Sequence, residues 1–178
     1  MTVSTWGIVA YALFYGSVVT GVLLSSSFSR RWPAVLARAG RAHEVLSLGG
    51  FFAVAVHVLA SVFPPQGIQV SQLAFLGPAK RPGLGLGVAS LYAIVLVTVT
   101  FYLRHRVGTP LWRWIHALAY PALAAAAWHS VTIGANAWLP GAHAFYLLTV
   151  GSTGLLLCAR LLNRLAPRRF RLCPRTPG

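Results

Sequence analysis

Apolar residues in this chain come in blocks about twenty long, and short segments holding nearly all of its charge separate them. Five such blocks stand out, at residues 6–27, 42–63, 83–103, 111–133 and 143–162. A bilayer core about 30 Å thick takes about 20 residues of helix to cross. The pattern therefore predicts an all-α integral membrane protein, a bundle of five transmembrane helices. The first block follows an uncharged start, MTVST, which lacks the basic region of a cleaved leader, so it is read as a retained span. Between the first two blocks lies residues 28–40, interrupted by Pro33, which predicts a short surface helix or loop. Residues 66–82 are apolar over too short a length to span, and are expected to lie in the interface or fold back over the bundle. Three glycines at the start of the third block permit close helix approach. Thr109-Pro110 marks the start of the fourth helix, and residues 163–178 form a basic, proline-broken tail.

Composition supports the membrane class, with 57% hydrophobic residues against 9% charged. One acid, Glu44, faces fifteen Lys and Arg, for a formal net charge of +14. Such basicity would suit nucleic acid, but the arginines sit at the ends of apolar runs rather than on a soluble face, so no nucleic-acid partner is expected. Thirteen of the fifteen lie at or after the ends of spans one, three and five. The positive-inside rule then places the N-terminus outside and the C-terminus in the cytoplasm, in a membrane expected to be the bacterial inner (plasma) membrane. The six tryptophans and six tyrosines fit an interfacial belt. Cys158 and Cys173 form no ligand or disulfide pattern and read as free thiols.

Candidate chemistry rests on four histidines. His43 and His57 stand fourteen residues apart on the second span, and His116 and His129 thirteen apart on the fourth. Polar, ionisable groups at membrane depth point to function. The predicted topology runs both spans in one direction, pairing His43 with His116 and His57 with His129, the two levels about 20 Å apart along the helices. Two imidazoles are too few for a tetrahedral zinc or copper site, whereas they complete the axial coordination of a haem. Two b-type haems, bis-His ligated, would give an electron path across the bilayer. Arg41 and Arg113 are candidates to neutralise haem propionates, or else serve as cytoplasmic anchors. His105 and His143 read as solvated interfacial residues, and Glu44 as the partner of a nearby arginine.

Two geometric questions stay open in the sequence. On a straight helix His43 and His57 share a face, but His116 and His129 stand about 140° apart. Either Pro121 kinks the helix between them or the haems are offset around it. Gly49-Gly50 and the alanine-rich residues 122–127, midway along the two spans, would make room for a porphyrin or simply allow close helix packing.

The paired histidines, over about residues 42–131, resemble the ferric reductase-like transmembrane domain. That superfamily includes NADPH oxidases, ferric reductases and the haem-binding subunit of the bacterial methionine sulfoxide reductase system. The resemblance implies two stacked b haems on His43, His57, His116 and His129 and electron transfer across the membrane. The family core usually has six spans where five are counted here, and no segment resembles a flavin- or nicotinamide-binding domain. The resemblance thus implies a stand-alone haem subunit of an oxidoreductase system, receiving electrons from quinol or a separate redox partner protein and working within a complex or oligomer. Two alternatives are a non-redox assembly subunit or small transporter, and a quinol-oxidising subunit similar to cytochrome b.

Overall fold

The computed structural model describes residues 3–25, 32–63, 68–74, 82–134, 137 and 141–165. Helix dominates these residues, with no strand among them. In chain order the helices are α1 (Val3–Leu24), α2 (Pro33–Val62), α3 (Val70–Leu73), α4 (Pro82–Tyr102), α5 (Arg104–Val107), α6 (Thr109–Ala117), α7 (Ala119–Ile133) and α8 (Ala142–Leu165). Four of them, α1, α2, α4 and α8, are long and apolar enough to cross a membrane, which marks the chain as a membrane protein.

The side chains are sorted as in a lipid-embedded bundle. Large apolar residues face outward, among them Val45 (69% exposed) and Leu147 (72%). The buried positions are mostly small or hydroxylated, including Ala10, Ala53, Ala122, Ser17, Ser90 and Thr149. In lipid there is little gain from burying apolar surface, so small residues and interhelical hydrogen bonds hold helices together. Tyr11 and Thr149 hydroxyls lie 2.6 Å apart and join α1 to α8, as do Tyr15 and Ser152 at 2.9 Å. The Ser90 hydroxyl donates to the Ala122 carbonyl and joins α4 to α7.

Two antiparallel pairs result, α1 against α2 and α4 against α7, with α8 packed on α1 and α7. The compact apolar centre, Tyr11, Val18, Leu123, Ala127 and Tyr146, joins α1, α7 and α8.

Two elements differ from the sequence reading. Pro33 does not interrupt a surface segment but begins α2, which runs unbroken for 30 residues to Val62. A proline in the first turn gives up an N–H that has no helical acceptor anyway, so it starts a helix without cost to it. Residues 28–31 of that segment lie outside the described residues. The fourth predicted span is not continuous; it divides at Leu118 into α6 and α7. Pro121 has no N–H to offer the Ala117 carbonyl, and its ring crowds that carbonyl. Leu118 N–H accordingly bonds the Ile115 carbonyl, a tightened turn, before Ala122 N–H resumes on the Leu118 carbonyl.

The segment at residues 66–82 is described only in part. Ile68 N–H bonds the Ser61 carbonyl and Tyr92 donates to the Leu73 carbonyl, so this stretch folds back between α2 and α4. Gly108, with φ 82°, supplies the left-handed turn that ends α5 and starts α6. Most of the basic tail lies outside the described residues.

Candidate metal centres

All four span histidines line one partly open cavity of about 530 Å³, walled mainly by α1, α2, α4, α7 and the end of α6. That volume lies within the range of sites for cofactor-sized ligands. The histidines meet in the expected pairs. The His43 and His116 ring centres are 6.0 Å apart with planes at 67°, and those of His57 and His129 are 6.4 Å apart at 84°. A metal–imidazole bond of about 2 Å, with about 1.1 Å from ring nitrogen to ring centre, sets two trans imidazoles about 6.2 Å apart, centre to centre. Both pairs match that spacing, and rings sharing an axis through a metal can take any mutual twist.

The break at Leu118 answers the question left by the thirteen-residue interval. It falls between the two histidines, and His116 lies beside His43 while His129 lies beside His57.

Three of the four rings are held by a backbone carbonyl. His43 Nδ1 lies 2.8 Å from the Ser17 carbonyl, His57 Nδ1 3.0 Å from that of Val3, and His129 Nδ1 2.9 Å from that of Gly83. A carbonyl only accepts, so each Nδ1 carries the proton and donates. Nε2 is then the unprotonated nitrogen, the state a metal-binding imidazole needs, with its orientation fixed from behind. The Ser17 hydroxyl, 3.2 Å from His43 Nδ1, also lies 2.6 Å from the Ser47 hydroxyl.

A repeated local device makes these contacts possible. In each case a glycine stands four residues after the accepting carbonyl: Gly7 after Val3, Gly21 after Ser17, Gly87 after Gly83. A helical side chain overlies the turn before its own Cα, so its omission uncovers that carbonyl for the imidazole. A Cβ on Gly7 would lie 3.1 Å from His57 Cε1, one on Gly21 3.2 Å from His43 Cε1, and one on Gly87 2.7 Å from His129 Cε1. Gly7 and Gly21 escaped the sequence reading, whereas Gly87 is one of the three glycines read there as permitting close helix approach. The available signal was the interval: Gly7 and Gly21 stand fourteen apart, as His43 and His57 do on the antiparallel neighbour.

His116 is the exception. Among the described residues its Nδ1, which is buried, finds no hydrogen-bond partner, nor does Nε1 of Trp112, whose ring lies 5.2 Å from the His116 ring.

The remaining candidates lie elsewhere. Arg41 and Arg113, close in sequence to His43 and His116, are exposed and do not line the cavity. Glu44, His105, His143 and Cys158 are exposed as well, and Cys173 lies outside the described residues. Gly49 and Gly50 serve packing rather than the cavity: they lie against Leu13 and Phe14 of α1. Of the alanine-rich stretch, Ala122 and Ala126 do line the cavity. Among the described residues no third His, Cys, Asp or Glu joins either histidine pair. Comparisons with family models, with curated proteins and with solved structures return no match to this chain.

Proposed function

We propose that the chain is a membrane electron carrier that holds two b-type haems, one between His43 and His116 and one between His57 and His129. The observation that carries this reading is the pairing itself: facing imidazoles 6.0 and 6.4 Å apart, three with Nδ1 engaged by a carbonyl and Nε2 left to bind. A two-imidazole set suits an iron that brings its four other ligands with it, as a porphyrin does. When bound, the haems supply reversible one-electron chemistry. The chain's part is to fix the imidazoles, keep water from the iron and set the two sites about 20 Å apart along α2.

On this reading the α6–α7 unit completes a bundle of five spans, with the N-terminus outside and the His43–His116 site near the cytoplasmic face, in a bacterial inner membrane. The excess of arginine at that end supports the orientation. Arg41 and Arg113 are the cations nearest in sequence to meet propionates there. A quinol or a separate redox protein is the proposed donor, with an acceptor at the outer face.

The reduced-minus-oxidised absorption spectrum of detergent-purified protein tests this. Two low-spin b haems per chain are expected from haem-replete cells; a colourless protein would end the redox reading in favour of a structural subunit. A finer expectation concerns Pro121→Ala. Restoring the missing N–H lets α6 and α7 join as one helix and turns His116 away from His43. Haem content should fall from two towards one per chain, and unchanged content would separate the break from ligand placement.

A further inference from the structure

We infer that Tyr120 and Arg160 together seat one carboxylate of the porphyrin at the His43–His116 site. This rests on the haem reading above, and gives the ligand's negative charge a partner inside the bundle.

Arg160 carries a charge that the chain does not balance. It is half-buried and lies within the membrane-crossing stretch of α8, Ala142–Leu162. The one acidic side chain of the sequence, Glu44, is exposed on α2, whereas α8 packs on α1 and α7. A charge set into a membrane bundle is costly, and it is kept for a partner or a function. An arginine so near the end of a span could turn its head out to the water beyond Leu162. Arg160 instead reaches α7, where Nη1 donates to the Tyr120 hydroxyl at 3.5 Å. Tyr120 is half-buried, packs on the apolar centre of the bundle and lines the cavity.

The pair stands at the depth of the inner site. The Tyr11–Thr149 and Tyr15–Ser152 bonds set α1 and α8 side by side, running in one direction. Eight residues beyond the second bond come Leu23 and Arg160. Leu23 follows Gly21, which lies against His43, by two residues, about 3 Å of depth. Tyr120 lines the same cavity as His116, one helical turn along.

The two side chains suit a carboxylate as a unit. The Tyr120 oxygen already accepts from Arg160, so its own O–H proton is left to give. The cation behind it polarises that O–H and makes it a stronger donor. The hydroxyl thus supplies the hydrogen bond and the guanidinium supplies the charge. A porphyrin brings two carboxylates on flexible arms. Arg41 and Arg113, both exposed, suit the one that reaches water; Tyr120 and Arg160 suit the one turned into the bundle. A lipid phosphate offers similar chemistry, but Tyr120 borders the cavity, which favours the ligand held there.

Resonance Raman spectroscopy of the purified holoprotein reads this contact, because the propionate bending band moves with the hydrogen bonds the carboxylate receives. His57→Ala isolates the inner haem; should that variant fail to fold, the wild-type background serves, with one of two bands moving. Arg160→Leu and Tyr120→Phe should each shift the band while the low-spin marker bands stay in place. Arg160→Leu should also pass haem to excess apomyoglobin about tenfold faster, the scale of a lost hydrogen bond between charged groups. Arg38→Leu removes an exposed charge from α2 and should change neither reading. If Arg160→Leu does not fold, Tyr120→Phe, which removes a single oxygen, decides alone. An unmoved band would overturn the inference and leave the cation to a lipid phosphate. Faster haem loss with an unmoved band would overturn it too, since packing alone would then explain the loss. Absence of haem from the wild-type protein would instead remove the reading on which the inference stands, and the inference with it.

Discussion

Replacing His57 with alanine is expected to halve the haem content and to leave the remaining haem spectrally intact. The two sites are about 20 Å apart along α2, a separation at which energetic effects of substitutions are usually independent. Losing an axial ligand strips one side of an iron, and the partner His129 cannot hold it alone in a low-spin state. The helix itself has little reason to fail. His57 is linked to the rest of the bundle through one hydrogen bond, Nδ1–H to the Val3 carbonyl. Truncation therefore costs about 1 kcal/mol of packing and hydrogen bonding, within the reach of a multi-helix bundle. A double variant, His57→Ala with His129→Ala, should behave as the single one does, because both residues serve one iron. Haem per chain, measured by extraction and absorbance, decides the matter. An unchanged ratio in the single variant, or a further drop in the double, would show that the pairs are not the ligand sets.

Gly87→Val should have nearly the same effect without touching a ligand. The added Cβ would lie 2.7 Å from His129 Cε1, and closer still to Nδ1, a separation real side chains do not tolerate. Either the ring swings away or α4 retreats from α7, and in both cases Nδ1 loses the Gly83 carbonyl. His129 then presents the wrong direction to its partner, and orientation is what the carbonyl supplies. Gly85→Val is the matched control. Among the described residues no atom outside its own turn of helix lies within 4 Å of a Cβ built at Gly85, although it stands only two residues away on the same helix. The expected outcome is one haem per chain for the first variant and two for the second. Equal haem content in both would sink the claim that the glycine is there for the imidazole.

Much of this architecture is legible in the sequence, and the reasons for the exceptions are physical. Block length alone indicates membrane-crossing helices, because the bilayer sets a narrow window for apolar runs. The histidine pairs are also legible, since matched intervals on two helices are independent of fine packing. Pro33 misled because proline breaks a helix only when it falls inside one; at a first turn it begins one, and nothing in residues 28–40 says which holds. Gly49-Gly50 left two readings open because glycine reports close approach without naming what approaches; the structure bears out helix packing, against the α1 side chains Leu13 and Phe14. The break at Leu118 was half legible: Pro121 was the evident cause, but its effect appears a turn earlier, where the carbonyl it cannot bond lies. The carbonyl acceptors Val3, Ser17 and Gly83 left only an indirect mark, since a main-chain group is offered by every residue and only the glycine four places later betrays it.

The shared fourteen-residue register of α1 and α2 has an evolutionary consequence. What this pair of helices must keep is a count more than a set of letters. Substitutions at lipid-facing positions such as Val45 or Phe52 leave Gly7 opposite His57 and Gly21 opposite His43. A single inserted or deleted codon between Gly7 and Gly21 turns one glycine by about 100° and shifts it by about 1.5 Å against the other, so one histidine must lose its seat. Divergent descendants of this gene should therefore drift freely in composition along these two helices while their lengths stay frozen. Length variation should collect instead beyond the histidines, in the segments that join the helices.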